Sequence, residues 1–227
     1  MLSFTNNSSP LFILGTCGIT LFKNASIGVL LLISHFISAI TVGYIFRFWK
    51  KSKPNLKKQT NRTSVNNNKL QLITKKNFGE ILGKSIQTSI FSILNIGGFI
   101  VLFSVLISIL NNSGIVNLIE IIFKPFCNFF NIPVKIPSSL FLGSFEITNG
   151  LNILSNIKIK NISLIIILTS FLLGIGGISI FFQILSIVSK SDLSIKPYII
   201  GKLLQGIFSC IYTYILISIF PVFNFNL

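Results

Sequence analysis

The sequence predicts an all-α, polytopic membrane protein whose helices are broken or re-entrant in several places. Hydrophobic residues make up 51% of the chain and charged residues only 10%, whereas an ordinary soluble domain carries about 25% charged residues. Several continuous apolar runs approach or exceed the roughly 18 residues that mark a helical bilayer span. A transmembrane barrel would instead show segments of about ten residues with alternating polarity. We therefore expect helices that are surrounded by a lipid bilayer.

The basic residues are concentrated in one stretch, which argues against a nucleic-acid partner. The net charge is +15, but ten of the 19 Lys and Arg residues fall between Arg47 and Lys76. Residues 49–76 have few apolar side chains and cannot bury enough surface to fold alone. Because Lys and Arg beside a span mark the cytoplasmic side, we predict a basic cytoplasmic loop. Contact with anionic lipid headgroups is a further role for such a cluster.

The sequence predicts no metal site, no bound cofactor and no enzymatic activity. The three cysteines lie far apart in apolar segments, and no CxxC or Cys/His cluster occurs. The chain has no HExxH, no GxSxG-type nucleophile site, no paired aspartates and a single histidine, so no catalytic residue is predicted. That histidine, His35, lies in the middle of an apolar run near Ser34 and Ser38. We expect it to be a structural, hydrogen-bonded side chain.

The first half of the chain contains one short apolar run and one full span. Leu11–Phe22 is short for a span and is expected to be a half-helix or the end of a longer helix. Ala25–Phe48 is long enough to cross the bilayer. It ends in aromatic residues beside Arg47, a combination that membrane–water interfaces select.

A long helix and a one-sided helix are predicted after the loop. Asn77–Leu110 carries Asn95 and Gly97-Gly98 in its middle, where small residues permit close helix approach or a kink. In the segment that follows, the polar residues recur at spacings of three and four, which places them on one helical face. They are Ser113, Asn117, Glu120, Lys124 and Asn128. We interpret this segment as an interfacial helix, with the lining of a polar cavity as the alternative.

The last part of the chain contains two interrupted apolar regions and a final span. Residues 137–155 are too polar for a lipid-facing span, and they include Glu146, one of only four acidic residues. Ile162–Val188 is apolar but broken by "GIGGIS" at 174–179. The final span is expected over Tyr198–Phe220.

The segments that start at Ser3 and Ser170 suggest an internal repeat. They align without a gap at an offset of 167 residues. Both show a polar or Gly-rich break, an apolar run, a lysine-containing break and then a full span. The identical pairs are Ser3/Ser170, Phe4/Phe171, Ile13/Ile180 and Lys23/Lys190.

Repeated halves with interrupted hydrophobic segments are typical of secondary transporters, which bind substrate near the membrane midplane at the interruptions. Non-helical backbone at that depth persists only where protein or a water-filled cavity satisfies it. We therefore predict a substrate- or ion-binding site from the polar and glycine residues at the breaks. The candidates are Glu146, Thr148, Asn149, Gly150, Asn6, Asn7, Ser8, Gly174, Gly176, Gly177 and Gln183.

Two interpretations of Glu146 remain open. An ionised side chain at the bilayer centre costs about 2.5–3.5 kcal/mol on insertion scales, so an idle, lipid-facing carboxylate is not expected. Glu146 either binds a cation or polar solute or carries a proton, or it caps the N-terminus of a half-helix while Thr148 and Asn149 close the turn.

Four stretches carry a family resemblance: "SFTNNSSPLFILGT", "SHFISAITVGYIFRFW", "GSFEITNGLNIL" and "SFLLGIGGISIFFQILSIVSKSDLSIKPYIIGKLLQGI". They resemble the sporulation integral membrane protein YlbJ family of spore-forming Firmicutes, which belongs to the nucleoside-recognition, or Gate, group. The resemblance implies that residues 1–48 end a first Gate-like half and that residues 77–227 form a second one. It also implies a role in spore formation, in cortex or coat maturation, with an unidentified small polar solute that is nucleoside-like or an ion.

Members of that family are considerably longer, and they carry an earlier half before a segment like Ser3–Pro10. We therefore expect this chain to be the C-terminal portion of such a protein, completed by a missing N-terminal half or by further copies of itself. The alternative function is a non-transporting membrane scaffold of sporulation that recruits partners through the cytoplasmic loop.

Overall fold

The predicted all-helical architecture is confirmed. A computed structural model describes residues 5–48, 78–159, 162–188 and 195–220, and within them the regular secondary structure is entirely helical. The predicted basic loop, residues 49–76, lies outside the described residues. We number the helices of the described segments in chain order: α1 (Phe12–Leu21), α2 (Ala25–Arg47), α3 (Phe78–Asn112), α4 (Ile115–Phe129), α5 (Lys135–Phe145), α6 (Ile147–Ser155), α7 (Ile162–Ile175), α8 (Ile178–Val188) and α9 (Lys196–Ile219).

Four segments of the described chain are long and apolar enough to cross a membrane. They are α2, α3, the broken helix α7–α8 over Ile162–Ser186, and α9. The predicted spans therefore reappear with boundaries shifted by a few residues. The short first run forms α1, a ten-residue helix wound as a π-helix, a form that is rare and frequently found at functional sites.

The core lies between α2, α7 and α9. These three helices pack against one another and supply most of its fully buried apolar side chains. Close approach of α7 and α9 depends on two glycines, because a Cβ at Gly174 would lie 2.6 Å from Gly206 Cα. Core residues on α2 and α7 include Ile27, Leu30, Leu31, Ile165, Ile166 and Leu173.

This core also contains polar atoms that have no partner. His35 Nδ1 and Nε2, Thr169 Oγ1, Ser209 Oγ and Thr213 Oγ1 are buried and form no hydrogen bond with the described protein atoms. The expectation of a buried structural His35 is confirmed, but that of a hydrogen-bonded one is wrong. The hydroxyls of Ser34 and Ser38 donate to backbone carbonyls of α2 itself, and neither is hydrogen-bonded to the ring.

Helix α3 lies at the periphery, and its Gly-Gly pair plays no part in packing. Only Phe103 and Ile107 of its 35 residues are buried. A Cβ added at Gly97 or Gly98 would meet nothing within 4 Å, and the helix runs through both residues. The close helix approach that small residues permit is therefore not used at this pair within the described residues.

Helix α4 has the expected one-sided character. Its polar face contacts α5, where Ser138 Oγ donates to Glu120 Oε1 over 2.7 Å. Its apolar face lines a cavity of about 520 Å³ shared with α5 and α7. None of its residues lines the central cavity described below.

The layout of helices matches the suggested repeat. A non-helical stretch at residues 6–9 precedes α1 (10 residues) and α2 (23 residues), and a break at residues 176–177 precedes α8 (11 residues) and α9 (24 residues). At the 167-residue offset, these breaks and helices fall on one another to within a few residues. The two copies therefore share a structural plan as well as hydropathy.

Candidate functional site

The first interruption is the tip of a helical hairpin formed by α5 and α6. Gly150 lies so close to α5 that an added Cβ would be 2.2 Å from Gly143 Cα. Because only six residues lie between these two glycines, the chain reverses direction there. Residues 135–155 therefore form a hairpin of two short helices, and Glu146 is the extended residue at its tip.

Glu146 caps the N-terminus of α6. Its Oε2 accepts hydrogen bonds from the Asn149 backbone N–H over 2.9 Å and from Asn149 Nδ2 over 3.2 Å. The carboxylate is only 7% exposed, and a half-helix N-terminus favours negative charge. The capping interpretation is thus seen directly. It does not exclude a binding role, because the same residue lines a cavity.

The second interruption crosses the first in direct backbone contact. Helix α7 ends at Ile175, Gly176 adopts a left-handed φ of 74°, and α8 starts at Ile178. A Cβ at Gly177 would lie 2.9 Å from Phe145 O and 3.3 Å from Glu146 Cα. The backbone of the broken span thus touches the hairpin tip, and only glycine leaves room for this contact.

The third interruption, residues 5–10, is tied to α9 by buried polar side chains. Lys202, which is 5% exposed, donates through Nζ to Asn6 O and to Gln205 Oε1, the latter over 2.8 Å. Gln205 Nε2 in turn donates to Asn7 Oδ1 over 2.8 Å. Asn6 Nδ2 donates to the Tyr198 hydroxyl over 2.9 Å. The bond to Asn6 O satisfies a backbone carbonyl that non-helical chain leaves without a helical partner, and the other three bonds join side chains.

Sequence reasoning missed Lys202, Gln205 and Tyr198. The signal was present, because Lys202 is a charged residue one turn inside a predicted span and Gln205 lies three residues further on the same helical face. Ionisable residues within spans generally face a protein interior and mark functional paths.

A cavity of about 430 Å³, lined by both polar and apolar residues, lies where the three interruptions meet. Residues 7–9 form one wall, the hairpin tip with Glu146 and Thr148 another, and α8 with Ser179 and Gln183 a third. Ile96 and Ile100 of α3 close the remaining side. Glu146 is the one carboxylate among these described lining residues. The cavity can therefore offer hydroxyl and amide hydrogen bonds together with a single negative charge.

The predicted site residues divide into three groups. Asn7, Ser8, Glu146, Thr148, Gly177 and Gln183 line the central cavity. Asn6 belongs to the hydrogen-bond network of Lys202, and Gly176 and Gly177 line a second cavity of about 180 Å³ beside Tyr198 and Lys202.

The remaining candidates have packing or capping contacts. Asn149 caps α6 with Glu146, Gly150 packs on Gly143, and Gly174 packs on Gly206. Within the described segments, no group of three or more His, Cys, Asp and Glu side chains could hold a metal ion.

These features define a multi-pass helical membrane protein in which a helical hairpin and a broken span cross beside a partly polar cavity. A family model described as Gate, nucleoside recognition, matches residues 93–223. The chain belongs to this family, which confirms the resemblance noted in the sequence.

One curated relative shows how much of a longer protein the chain represents. The chain is 34% identical over 222 residues to the sporulation integral membrane protein YlbJ of Bacillus subtilis (strain 168), an alignment that covers 94% of this chain and 54% of that protein. It thus spans about half the length of the curated relative it matches. No solved structure matches the chain.

Proposed function

We propose that this chain forms part of a transporter-like protein that moves a small polar solute, nucleoside-like or an ion, across a membrane during spore formation. The observation that carries the proposal is the crossing of the hairpin tip and the broken span beside the central cavity. Interrupted helices at such crossings are where secondary transporters bind substrate. The sporulation role is suggested by the similarity to the Bacillus subtilis protein, and the basic residues of 49–76 suggest that this loop is cytoplasmic.

The lining of the cavity indicates the chemistry of the solute. Neutral hydroxyl and amide groups from three separate elements surround one carboxylate, so a ligand with several hydrogen-bonding groups fits better than an apolar one. Glu146 would coordinate a cation or accept hydrogen bonds from the solute. Its hydrogen bonds to Asn149 hold the carboxylate in place for either role.

Substitution of Glu146 by Gln tests the proposal. The amide oxygen can still accept from Asn149 N–H, so the cap survives while the charge is lost. In a spore-forming host that lacks its own family member, the variant of the intact gene should insert in the membrane but fail to restore heat-resistant spores.

The matched control is Glu120→Gln, because Glu120 also accepts a hydrogen bond but lies outside the cavity. That variant should restore spores normally. Full rescue by Glu146→Gln would remove this carboxylate from the mechanism.

The class of ligand can be identified by measuring the thermal shift of the purified protein with nucleosides and with alkali and alkaline-earth cations.

A scaffold acting through the basic loop is the second candidate, and the clustering of nine basic residues within residues 49–76 favours it. Deletion of residues 50–75 separates the two functions. A scaffold would lose all rescue even when correctly inserted, whereas a transporter with correct orientation would keep it.

A further inference from the structure

The central cavity does not stand alone, because two further cavities join it in a row along α3. The first, of about 380 Å³, is lined by Glu80, Lys84, Ser85 and Thr88. The second, of about 550 Å³, shares Thr88 with the first. It in turn shares Ile96 and Gln183 with the central cavity. The three therefore lie in a row along α3. Among the described residues the first is lined by α3 alone, and the second and third form a groove between α3 and α8 that ends at Glu146.

The wall that α3 contributes is a polar stripe. Ser85, Thr88, Ser92 and Asn95 follow at spacings of three, four and three, which places them on one helical face. Each hydroxyl donates to a carbonyl one turn back in α3, over 2.8, 2.8 and 2.9 Å for the three in chain order. Their oxygens keep lone pairs that can accept a hydrogen bond.

The facing wall is also polar, and it contacts α3 at the inner end. Gln183 and Ser186 of α8 line the second cavity. Asn95 Nδ2 donates to Ser186 Oγ over 3.1 Å, which joins the two helices just before the central cavity. Phe103 and Phe182, with ring centroids 6.0 Å apart, pack the helices beyond it.

The length of the groove suits passage through half a membrane. Ser85 and Asn95 are ten residues apart, about 15 Å along a helix, which is half of a hydrocarbon core about 30 Å thick. The outer end lies at the start of α3, the helix that follows residues 49–77 in the chain. Polar side chains at this depth are costly against lipid but not along a water-filled groove.

We propose that the groove between α3 and α8 is the route by which a small polar solute reaches the central cavity from the membrane face at which α3 begins. This inference rests on the proposed transport function. Glu80 and Lys84 at the mouth carry opposite charges and the remaining polar lining groups are neutral, so the route itself does not select solutes by charge sign. Selection by charge begins at Glu146.

Cysteine accessibility tests the route without knowledge of the solute. In a variant of the full chain with Cys17, Cys127 and Cys210 replaced by Ala or Ser, single cysteines are placed at Thr88 and Ser92. Ile90→Cys is the matched control, because Ile90 lies on the opposite face of the same turn and lines none of the three cavities. A membrane-impermeant, charged thiosulfonate is applied from the face at which Ser64→Cys in the loop reacts.

Thr88→Cys and Ser92→Cys should react at least roughly tenfold faster than Ile90→Cys, because only a hydrated thiol ionises and reacts. Equal rates at all three positions, whether fast or slow, would overturn the inference. A second experiment places the reporter cysteine in the central cavity, as Thr148→Cys, which should react from this face. Adding Ser92→Trp, which fills the groove, should protect Thr148→Cys from the reagent, whereas adding Ile90→Trp should not. Continued reaction of Thr148→Cys behind Ser92→Trp would place the entrance elsewhere.

These results are independent of the transport assay. If the groove cysteines react no faster than Ile90→Cys while Glu146→Gln abolishes rescue, the protein is a transporter whose solute enters by another route. If the groove cysteines react faster than Ile90→Cys while Glu146→Gln restores spores normally, the groove is a water-accessible path, and function does not require the Glu146 carboxylate.

Discussion

Two Gly-Gly pairs in similar apolar surroundings have opposite structural consequences. At Gly176-Gly177 the helix stops, the chain takes a left-handed φ, and the backbone touches the hairpin tip. At Gly97-Gly98 a 35-residue helix continues, and nothing lies within 4 Å of either position. The dipeptide alone therefore does not break a span. The break requires a neighbouring element that occupies the space where a side chain would be.

The difference has a physical cause in the membrane. Away from water, a free backbone group has no alternative partner, so an isolated apolar helix retains its hydrogen bonds even through glycine. At the crossing, the hairpin tip and the polar network of Lys202 surround the irregular backbone with protein groups. The interruption is thus stabilised by tertiary contacts and only permitted by glycine.

The largest effect is expected at the crossing itself. The double substitution Gly176→Ala, Gly177→Ala adds a side chain at a left-handed residue and another against Phe145 O. Together these should destabilise the protein by about 2–5 kcal/mol. Thermal unfolding in detergent measures the change, and an unaltered midpoint would show that the two interruptions do not touch.

Loss of the Lys202 ammonium group should have the next largest effect. Lys202→Met leaves Asn6 O and Gln205 Oε1 without their donor, and each unsatisfied buried acceptor costs about 1–3 kcal/mol. Lys196→Met, at the exposed start of α9, is the control and should change the midpoint little. Equal effects of the two variants would contradict the buried network.

The opposite sign is expected in α3. Gly97→Ala, Gly98→Ala adds two methyl groups in open space and removes two poor helix formers, so the helix should gain about 1–2 kcal/mol. The same unfolding assay applies. Destabilisation here would mean that a partner packs closely against this face, and it would remove the contrast between the two glycine pairs.

The smallest effect is expected for the unpaired hydroxyl in the core. Thr213→Val replaces a buried hydroxyl that has no partner with a methyl group of similar size, so the free energy of unfolding should stay within about 1 kcal/mol or rise. Thr41→Val is the informative control, because the Thr41 hydroxyl is hydrogen-bonded to the Tyr212 hydroxyl over 2.8 Å. A greater loss for Thr213→Val than for Thr41→Val would reveal a hydrogen bond at Thr213.

Much of the fold could be predicted because hydrocarbon imposes strong rules on sequence. Span lengths, the short first run and the interruption at 174–179 all follow from where apolar residues stop. The polarity of residues 137–155 likewise argued against a lipid-facing span. Glu146 stood out because carboxylates are rare in such surroundings.

Contacts between distant segments could not be predicted in the same way. Lys202 and Gln205 bond to Asn6 and Asn7, almost 200 residues earlier, and hydropathy does not encode that pairing. The roles of Gly150 and Gly174 depend on which helix lies opposite, as does the absence of any such helix at Gly97. The unpaired His35 likewise reflects helix packing that its own neighbours in sequence do not determine.

The bare backbone contact at Gly177 has a mechanical consequence. Neither partner projects a side chain into the other at this point, so the surfaces in contact are smooth. If the tip of the α5–α6 hairpin moved along the break between α7 and α8, no side chain at this contact would have to repack. This backbone junction is therefore one that could shift sideways with little resistance.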